Sequence, residues 1–280
     1  METARFTALD AARLLPERNE QSAKWDYGHA LLCTGHTGMM GAAILCARAC
    51  IHSGAGLVTV LTEKEERGIV QTAVPEALLA WELPQRSYQA IGAGCGWGTE
   101  ADKAALLAQL LQREEPLVLD ADALNLLARK QWLDRLPAGT VITPHEGEFD
   151  RLFGTHSDRE ARIQTAVSEA EKRHIVILLK GHETLVCADQ QRRSINTTGN
   201  AGMATGGSGD VLTGIITGLL ARGLESFDAA CLGAWIHGKS GDAAAKNVGM
   251  DYLDASEIIL HMPQAFRELN IPSSSIPKTW

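Results

Sequence analysis

The sequence predicts an α/β fold in which a predominantly parallel sheet is covered by helices on both faces. Short continuous apolar runs alternate with longer segments of helical period, and glycine or polar residues directly follow most of the runs. Continuous apolar runs are typical of parallel strands that are buried on both faces. No linker, repeat or low-complexity tract divides the 280 residues, and a single α/β domain can reach this length. We therefore expect one domain over residues 1–280.

The elements follow in chain order from these patterns. The run 57–61 is rich in β-branched residues, and Gly54 ends the helix before it. Residues 184–187 and 193–195 are predicted to form an antiparallel pair around the polar turn 189–191, and the last third of the chain is predicted to be helical with a frayed tail around 273–275. The predicted strands of the parallel sheet are 30–33, 57–61, 88–92, 117–119, 141–143 and 175–179. The predicted helices between them are 39–53, 100–113, 157–173 and two short ones after the strands 117–119 and 141–143.

The composition excludes several classes of function. The 26 lysines and arginines against 34 aspartates and glutamates give a net charge of −8, which argues against a general binder of nucleic acid or of anionic membranes. No apolar run reaches the roughly 18 residues that span a bilayer, and the chain start lacks the apolar segment of a signal peptide. A chain of this size does not need disulfides, so the six cysteines are predicted to be buried free thiols and the protein to be cytoplasmic.

Five predicted strands are followed directly by residues suited to ligand binding. Ligands of open α/β sheets bind outside the carboxyl ends of the strands. Each of these segments alone could be an ordinary turn, but five of them in one sheet favour a binding site. The segments are 34–36, 92–94, 120–122, 143–145 and 180–182.

Residues 200–214 carry the strongest functional pattern. Four glycines fall within eight residues, and a helix with apolar residues on one face follows them. Glycines let the backbone approach a ligand, and the free N–H groups at a helix N-terminus suit a phosphate or a developing anion. Asp210 in this position is either a general base for a hydroxyl proton or a first-turn acid that only caps the helix. The spacing leaves both interpretations open.

Residues 233–240 match the P-loop pattern GxxxxGK[ST], with Lys239 as the lysine. A P-loop must follow a strand and open a helix. The residues on both sides of this segment have one continuous helical pattern, and Trp235 and Ile236 would crowd a phosphate cradle. We therefore expect a helix that packs closely through its glycines, with Lys239 as a surface charge.

These motifs together resemble the ADP- or ATP-dependent NAD(P)H-hydrate dehydratase family, which has a ribokinase-like fold. The similarity covers nearly the whole chain, and the glycine-rich segment is its most specific part. Members phosphorylate the ring hydroxyl of hydrated NADH or NADPH with a nucleotide and then eliminate phosphate, which restores the dihydronicotinamide. The matching segments are 16–18, 24, 27–28, 41–43, 53–58, 120–124, 143–149, 180–181 and 199–214.

The resemblance implies roles for individual residues. Asp210 would take the hydroxyl proton, and the N–H groups of Gly207, Ser208 and Gly209 would stabilise the transferring phosphoryl group. Mg²⁺ would sit mainly on phosphates and waters, with Glu148 either an acid that organises the metal through water or an ordinary first-turn residue. The implied nucleotide contacts are Lys180, Gly181, His182, Glu183, Thr184 and Gly209, and the implied substrate contacts are Ala42, Gly94, His145 and Asp210.

Two positions depart from the usual family pattern. Ser208 stands where Thr is usual and keeps the hydroxyl, so we expect little change there. Glu146 stands where Pro is usual and adds a charge beside His145, which bears on the local acid–base chemistry.

The resemblance also implies ADP as the phosphoryl donor, with ATP as the alternative, and a homotetramer. The short segment before residue 30 leads us to expect that the epimerase domain of many bacterial members is absent. One competing hypothesis is a kinase of a small hydroxylated metabolite, which would leave a stable phosphorylated product. Another is a non-catalytic nucleotide-binding protein, which the presence of Asp210 disfavours.

Overall fold

The computed structural model describes residues 4–16 and 18–269, so the predicted tail at 273–275 lies outside the described residues. Ten strands in this part of the chain form one sheet. In chain order they are β1 (Ala4–Arg5), β2 (His29–Cys33), β3 (Leu57–Leu61), β4 (Leu78–Ala80), β5 (Ala90–Ala93), β6 (Leu117–Leu119), β7 (Val141–Ile142), β8 (Val176–Leu179), β9 (Thr184–Cys187) and β10 (Arg193–Asn196).

The sheet is parallel through its centre and antiparallel at one side. Its strand order is β1-β10-β9-β8-β7-β6-β5-β2-β3-β4. The seven strands from β8 to β4 in this order all run parallel. β9 pairs antiparallel with both β8 and β10, and β1 adds a parallel edge to β10. The carboxyl ends of the central strands therefore meet at one edge of the sheet.

Helices cover both faces of the sheet. The strand side chains alternate between two hydrophobic cores, so that Leu32 and Val118 face one core and Leu31 and Ile91 face the other. The helices are α1 (Ala8–Leu14), α2 (Met40–His52), α3 (Arg67–Ala73), α4 (Ala101–Leu110), α5 (Asp122–Lys130), α6 (Glu146–Phe153), α7 (Arg159–Arg173), α8 (Ser208–Ala221), α9 (Ser226–Val248) and α10 (Ala255–Leu269). The first core lies under α1, α2, α3, α8, α9 and α10, and the second lies under α4 to α7.

The predicted α/β architecture is confirmed, and so is the antiparallel pair β9–β10. Arg193 pairs with Cys187, and the turn between them places Gln190 and Gln191 at φ values of 54° and 58°. Left-handed backbone at both central residues matches the twist of a tight hairpin. The pair and its turn are as the sequence predicted, and the structure adds that β9 joins the pair to β8 of the parallel sheet.

Several predicted boundaries are wrong. The strand predicted from residue 88 begins at Ala90, because the N–H of Tyr88 is bonded to the Glu115 side chain rather than to a neighbouring strand. The helix predicted to reach residue 113 ends at Leu110. The short edge strands β1 and β4 were not predicted.

The segment 233–240 lies wholly inside α9, which confirms the predicted helix and excludes a P-loop there. All six cysteines are buried and free, as predicted. Among residues 4–16 and 18–269, no helix is both long and apolar enough to cross a membrane.

Candidate active site

The carboxyl ends of four central strands bring several predicted site residues to one edge of the sheet. β5, β6, β7 and β8 are parallel neighbours, and Ala93 pairs with Leu119, which in turn pairs with Ile142. Chain segments that leave adjacent parallel strands at the same level lie side by side. The predicted site residues that follow these strands are Gly94, His145 and Lys180.

The glycine-rich segment presents free backbone donors at the N-terminus of α8. Gly207 is the N-cap and has a φ of 88°, which suits glycine. Within the described part of the chain, the N–H groups of Gly207, Gly209 and Asp210 donate to no protein group, while the N–H of Ser208 makes a long bond of 3.4 Å to the carbonyl of Thr205. Unpaired donors at a helix N-terminus form a ready site for an anion.

Asp210 is the third residue of α8, and its side chain forms no capping bond with the N-cap backbone. This favours the general base over the helix cap. Burial raises the pKa of Asp210 to about 6, a hydrogen bond from Cys95 lowers it, and the negative charge of Asp120 raises it further. Lys180 also acts on this carboxylate and lowers its pKa. A carboxylate that titrates just below neutral pH is well matched to accept a proton.

Lys180, which is half-buried, and Asp120, which is buried, form an ion pair beside this helix. Their Nζ and Oδ1 atoms are 2.8 Å apart, and the other oxygen of Asp120 accepts a bond of 3.0 Å from the hydroxyl of Thr213 on α8. Burial lowers the pKa of Lys180, but the carboxylates of Asp120 and Glu148 outweigh this effect and raise it above its ordinary value. Lys180 is therefore a permanent positive charge at the site.

Gly209 lies directly over this ion pair. A β-carbon at Gly209 would be 3.4 Å from Oδ2 of Asp120 and 3.5 Å from Nζ of Lys180. The structure thus brings together two predicted residues, Gly209 and Lys180, that lie far apart in the sequence. Their adjacency places a fixed cation next to the free N–H groups of α8.

His145 caps α6 and is held in one tautomer. Its Nδ1 accepts hydrogen bonds from the N–H groups of Gly147 and Glu148, at 3.0 and 3.2 Å. Because Nδ1 is an acceptor, the proton of the neutral ring is on Nε2, which is 3.5 Å from a Glu148 oxygen. A protonated Nε2 can donate to a ligand but cannot ligate a metal ion. The exposed ring therefore offers one donor.

Glu148 is buried and its carboxylate already has partners. One oxygen accepts the N–H of His145 at 2.9 Å and lies 3.8 Å from Nζ of Lys180. Within the described residues no group of three or more His, Cys, Asp or Glu side chains could hold a metal ion. The Glu148 carboxylate is therefore held by the His145 backbone and faces the Lys180 cation.

The loop between β8 and β9 carries the predicted nucleotide contacts. Gly181 and His182 are exposed, while Glu183 and Thr184 are half-buried. Arg159 at the start of α7 donates to the carbonyl of Glu183, and its guanidinium fills the space beside Gly181. The loop is therefore held by an arginine from a neighbouring helix.

Glu146 is paired with this arginine. Its carboxylate lies 3.1 Å from Nη1 of Arg159 and 3.4 Å from Nη1 of Arg162. The Glu146 carboxylate, which stands where the family usually has proline, is thus paired with two arginines of α7. Through Arg159, it connects the His145 segment with the predicted nucleotide loop.

Ala42 and Gly94 are both buried. The N–H of Gly94 donates to Cys33 and its carbonyl accepts from Asp122, at 3.2 Å each. These two bonds hold the backbone of Gly94 between Cys33 and Asp122. Ala42 lies in the first turn of α2, against Gly96.

Sequence reasoning placed Asp120 after a strand but gave it no role. Its partner Lys180 is 60 residues away, so no local pattern joins them. Ala121 next to it has a φ of 47° and a ψ of −115°, an unusual backbone for alanine. Strained backbone of this kind is often found at functional sites, and a residue-by-residue pattern does not reveal it.

The fold and this edge define an α/β protein in which a helix N-terminus, the Lys180 cation and the Asp210 carboxylate lie close together. A family profile described as NAD(P)H-hydrate dehydratase matches residues 30–264. The chain is 37% identical to the ADP-dependent (S)-NAD(P)H-hydrate dehydratase of Neisseria meningitidis, over 87% of this chain and 86% of that protein. The chain belongs to the NAD(P)H-hydrate dehydratase family.

Solved structures agree with this assignment. The ADP/ATP-dependent NAD(P)H-hydrate dehydratase of Bacillus subtilis, co-crystallised with ATP and Mg²⁺, superposes with a TM-score of 0.86 at 27% identity, over 96% of this chain and all of that one. A ribokinase-like superfamily protein of Enterococcus faecalis gives 0.84 at 28% identity, over 95% and 96% of the two chains. The predicted ribokinase-like fold is therefore confirmed. The chain spans about half the length, 54%, of the bifunctional NAD(P)H-hydrate repair enzymes that it matches first.

Proposed function

We propose that the protein is an ADP-dependent (S)-NAD(P)H-hydrate dehydratase that restores NADH or NADPH and releases AMP and phosphate. The observation that carries this proposal is the Asp210 carboxylate, which lies in the first turn of α8 beside the free N–H groups of Gly207 and Gly209. This arrangement suits transfer of a phosphoryl group to a hydroxyl. The relative from Neisseria meningitidis, whose name states ADP dependence, supports the choice of reaction and donor.

In the first step, Asp210 takes the proton of the ring hydroxyl. The oxygen of that hydroxyl attacks the terminal phosphoryl group of the nucleotide. The pKa of about 6 leaves this carboxylate mostly ionised at neutral pH. The N–H groups of Gly207 and Gly209 and the charge of Lys180 stabilise the negative charge on the transferring group. The bond between the β-phosphorus of ADP and its bridging oxygen breaks, and AMP leaves.

In the second step, phosphate leaves the ring carbon and the adjacent ring carbon loses a proton to solvent water, which forms the missing double bond. The Nε2–H of His145 is suited to bind an oxygen of the substrate, because its tautomer makes it a donor. We assign His145, Ala42 and Gly94 to the hydrated nicotinamide side of the site. Lys180, Gly181, His182, Glu183, Thr184 and Gly209 are assigned to the nucleotide side.

Mg²⁺ is part of this proposal as a charge carried by the nucleotide. It would neutralise phosphate oxygens, and the chain offers no cluster of direct ligands among the described residues. This fits a metal held mainly by phosphates and waters, with Glu148 orienting water. The crystals of the Bacillus subtilis relative contained ATP and Mg²⁺.

The test is recovery of the near-ultraviolet absorbance of the dihydronicotinamide from hydrated NADH and hydrated NADPH. ADP should support recovery, with AMP and free phosphate as the other products. Activity with ATP and none with ADP would refute the choice of donor. A stable phosphorylated product without dihydronicotinamide would instead identify a kinase of a hydroxylated metabolite.

We also propose a cytoplasmic homotetramer. The six buried free thiols suit a reducing compartment. Native mass measurement in solution tests the tetramer, and a monomeric mass would refute it.

A further inference from the structure

Residues 233–240 match the P-loop pattern but lie inside α9, and we call them the false P-loop. This part of α9 packs against residues 198–203, which lead into α8. N–H groups inside a helix are bonded to helix carbonyls, so this backbone cannot cradle a phosphate. A β-carbon at Gly238 would collide with Thr198, and one at Gly241 would collide with Met203. The glycines of α9 therefore allow residues 198–203 to lie directly on the helix.

Two polar side chains of α9 hold the two ends of residues 199–208. Asp242 accepts a bond of 3.1 Å from the N–H of Gly199 and another of 3.1 Å from the side-chain amide of Asn200. His237 places its Nε2 atom 3.2 Å from the hydroxyl oxygen of Ser208. Ser208 is the first residue of α8, between the two glycines whose N–H groups are free.

His237 is uncharged at neutral pH. Burial lowers its pKa to about 4, a hydrogen bond with the backbone of Ser208 opposes the shift, and the positive charge of Lys180 adds to it. A neutral imidazole has one donor nitrogen and one acceptor nitrogen. The His237–Ser208 contact is therefore a neutral hydrogen bond at the edge of a charged site.

We propose that His237 is a positioning residue, which holds the Ser208 hydroxyl as a hydrogen-bond donor toward the transferring phosphoryl group. Phosphoryl oxygens only accept hydrogen bonds, so Ser208 must donate its proton to bind one. Nε2–H of His237 then donates to the Ser208 oxygen, and the two bonds in series strengthen each other. The inference rests on the proposed function, because that reaction supplies the phosphoryl group.

Two polar substitutions of similar volume test this role. His237→Gln places an amide N–H near the position of Nε2 and should keep most of the wild-type kcat. His237→Asn is one methylene shorter and cannot reach Ser208, so kcat should fall about fivefold to tenfold, with the KM for nucleotide changed less than about twofold. Equal kcat values in the two variants would overturn the proposal.

The matched control is Lys239→Ala. Lys239 belongs to the same false P-loop, and its Nζ pairs with Glu268 at 3.2 Å, away from Ser208. The kcat of the Lys239→Ala variant should equal that of the wild type. A fall in kcat as large as that of His237→Asn would indicate that any change in α9 slows the enzyme. Thermal denaturation of each variant separates a loss of kcat from a loss of fold.

A double-mutant cycle distinguishes positioning through Ser208 from a general structural role. Ser208→Ala should lower kcat about fivefold to tenfold, and adding His237→Asn should cause no further fall. A further fall of the same size in the double variant would overturn the proposal. Wild-type turnover separates the two possible failures, since an inactive wild-type protein refutes the proposed function, whereas an active one with additive losses refutes only the role of His237.

Discussion

One substitution separates the proposed chemical role of Asp210 from the cost of burying its carboxylate. Asp210→Asn keeps the shape of the side chain but removes the proton acceptor, so turnover should fall about 10²-fold to 10⁴-fold while nucleotide affinity stays near the wild-type value. Steady-state rates and nucleotide titration measure the two effects. An Asp210→Asn protein with wild-type kcat would exclude Asp210 as the base.

The same substitution should stabilise the fold at high pH. Burial raises the pKa of Asp210 above its unfolded value, so ionisation costs the folded state free energy above pH 6, and this cost disappears as the pH falls below the unfolded pKa. The melting temperature of Asp210→Asn should therefore exceed that of the wild type by more at pH 8 than at pH 4. A larger gain at pH 4 would show that the pKa is lowered rather than raised.

The pH dependence of the reaction should report the same carboxylate. Asp210 is faced by Asp120, Asp122, Lys180 and Cys95, which together with burial set its pKa near 6. The value of kcat/KM should therefore rise with pH through about 6 as Asp210 loses its proton, and then level off. The rate profile measured between pH 4 and pH 8 checks this, and a flat profile through pH 6 would contradict it.

Arg159 links the departure at residue 146 to the predicted nucleotide loop. Arg159→Ala removes the donor to the Glu183 carbonyl and leaves the loop beside Gly181 unsupported. We expect the KM for nucleotide to rise about fivefold, with a smaller change in kcat. The control is Arg5→Ala, since Arg5 touches the Glu183 side chain only at 4.0 Å and is exposed. Equal effects of the two variants would argue against loop positioning by Arg159.

At the scale of the elements, α9 shows that a motif takes its meaning from its secondary structure. Lys239 would bind phosphates in a P-loop, but here it pairs with Glu268 on α10. Partly exposed ion pairs contribute little, so Lys239→Ala should change kcat/KM less than about threefold. Nucleotide titration and steady-state rates measure this. Loss of both binding and rate would restore the P-loop interpretation.

The sequence predicts the elements whose pattern is local and misses those that depend on distant contacts. β8 and β9 were predicted because their apolar runs are continuous and bounded by turns. β1 has only two residues and β4 only three, which is too few for a strand period to appear in the sequence, and their pairing with β10 and β3 alone makes them strands.

The same limit applies to the candidate site. The glycine-rich turn and Asp210 were visible because they adjoin each other in the sequence. The pair of Lys180 with Asp120 and the contact of His237 with Ser208 join residues from separate elements, at separations of 60 and 29 residues. The parallel order of β6, β7 and β8 brings the first pair together, and the packing of α8 against α9 brings the second pair together.

At the scale of the whole molecule, the net charge disfavours the approach of an anionic nucleotide, whereas the local charges of the candidate site favour it. The net charge of −8 repels anionic nucleotides at long range. Binding must therefore come from groups at short range, and the site provides them as the N–H groups of α8 and the Lys180 cation. An acidic protein can in this way hold a nucleotide without a basic surface.

The first described segment of the chain ties the two ends of the fold together. Phe6 donates its N–H to the carbonyl of Ile195 at 2.9 Å, and Ala11 is fully buried in the core that also contains α9 and α10. Removal of residues 1–15 should therefore lower the melting temperature by several degrees, because it exposes that core and the edge of β10. Residues 1–15 include none of the proposed site residues, so kcat at low temperature should change little. Thermal denaturation and steady-state rates of the truncated chain measure both effects, and an unchanged melting temperature would show that the segment adds no stability to the sheet.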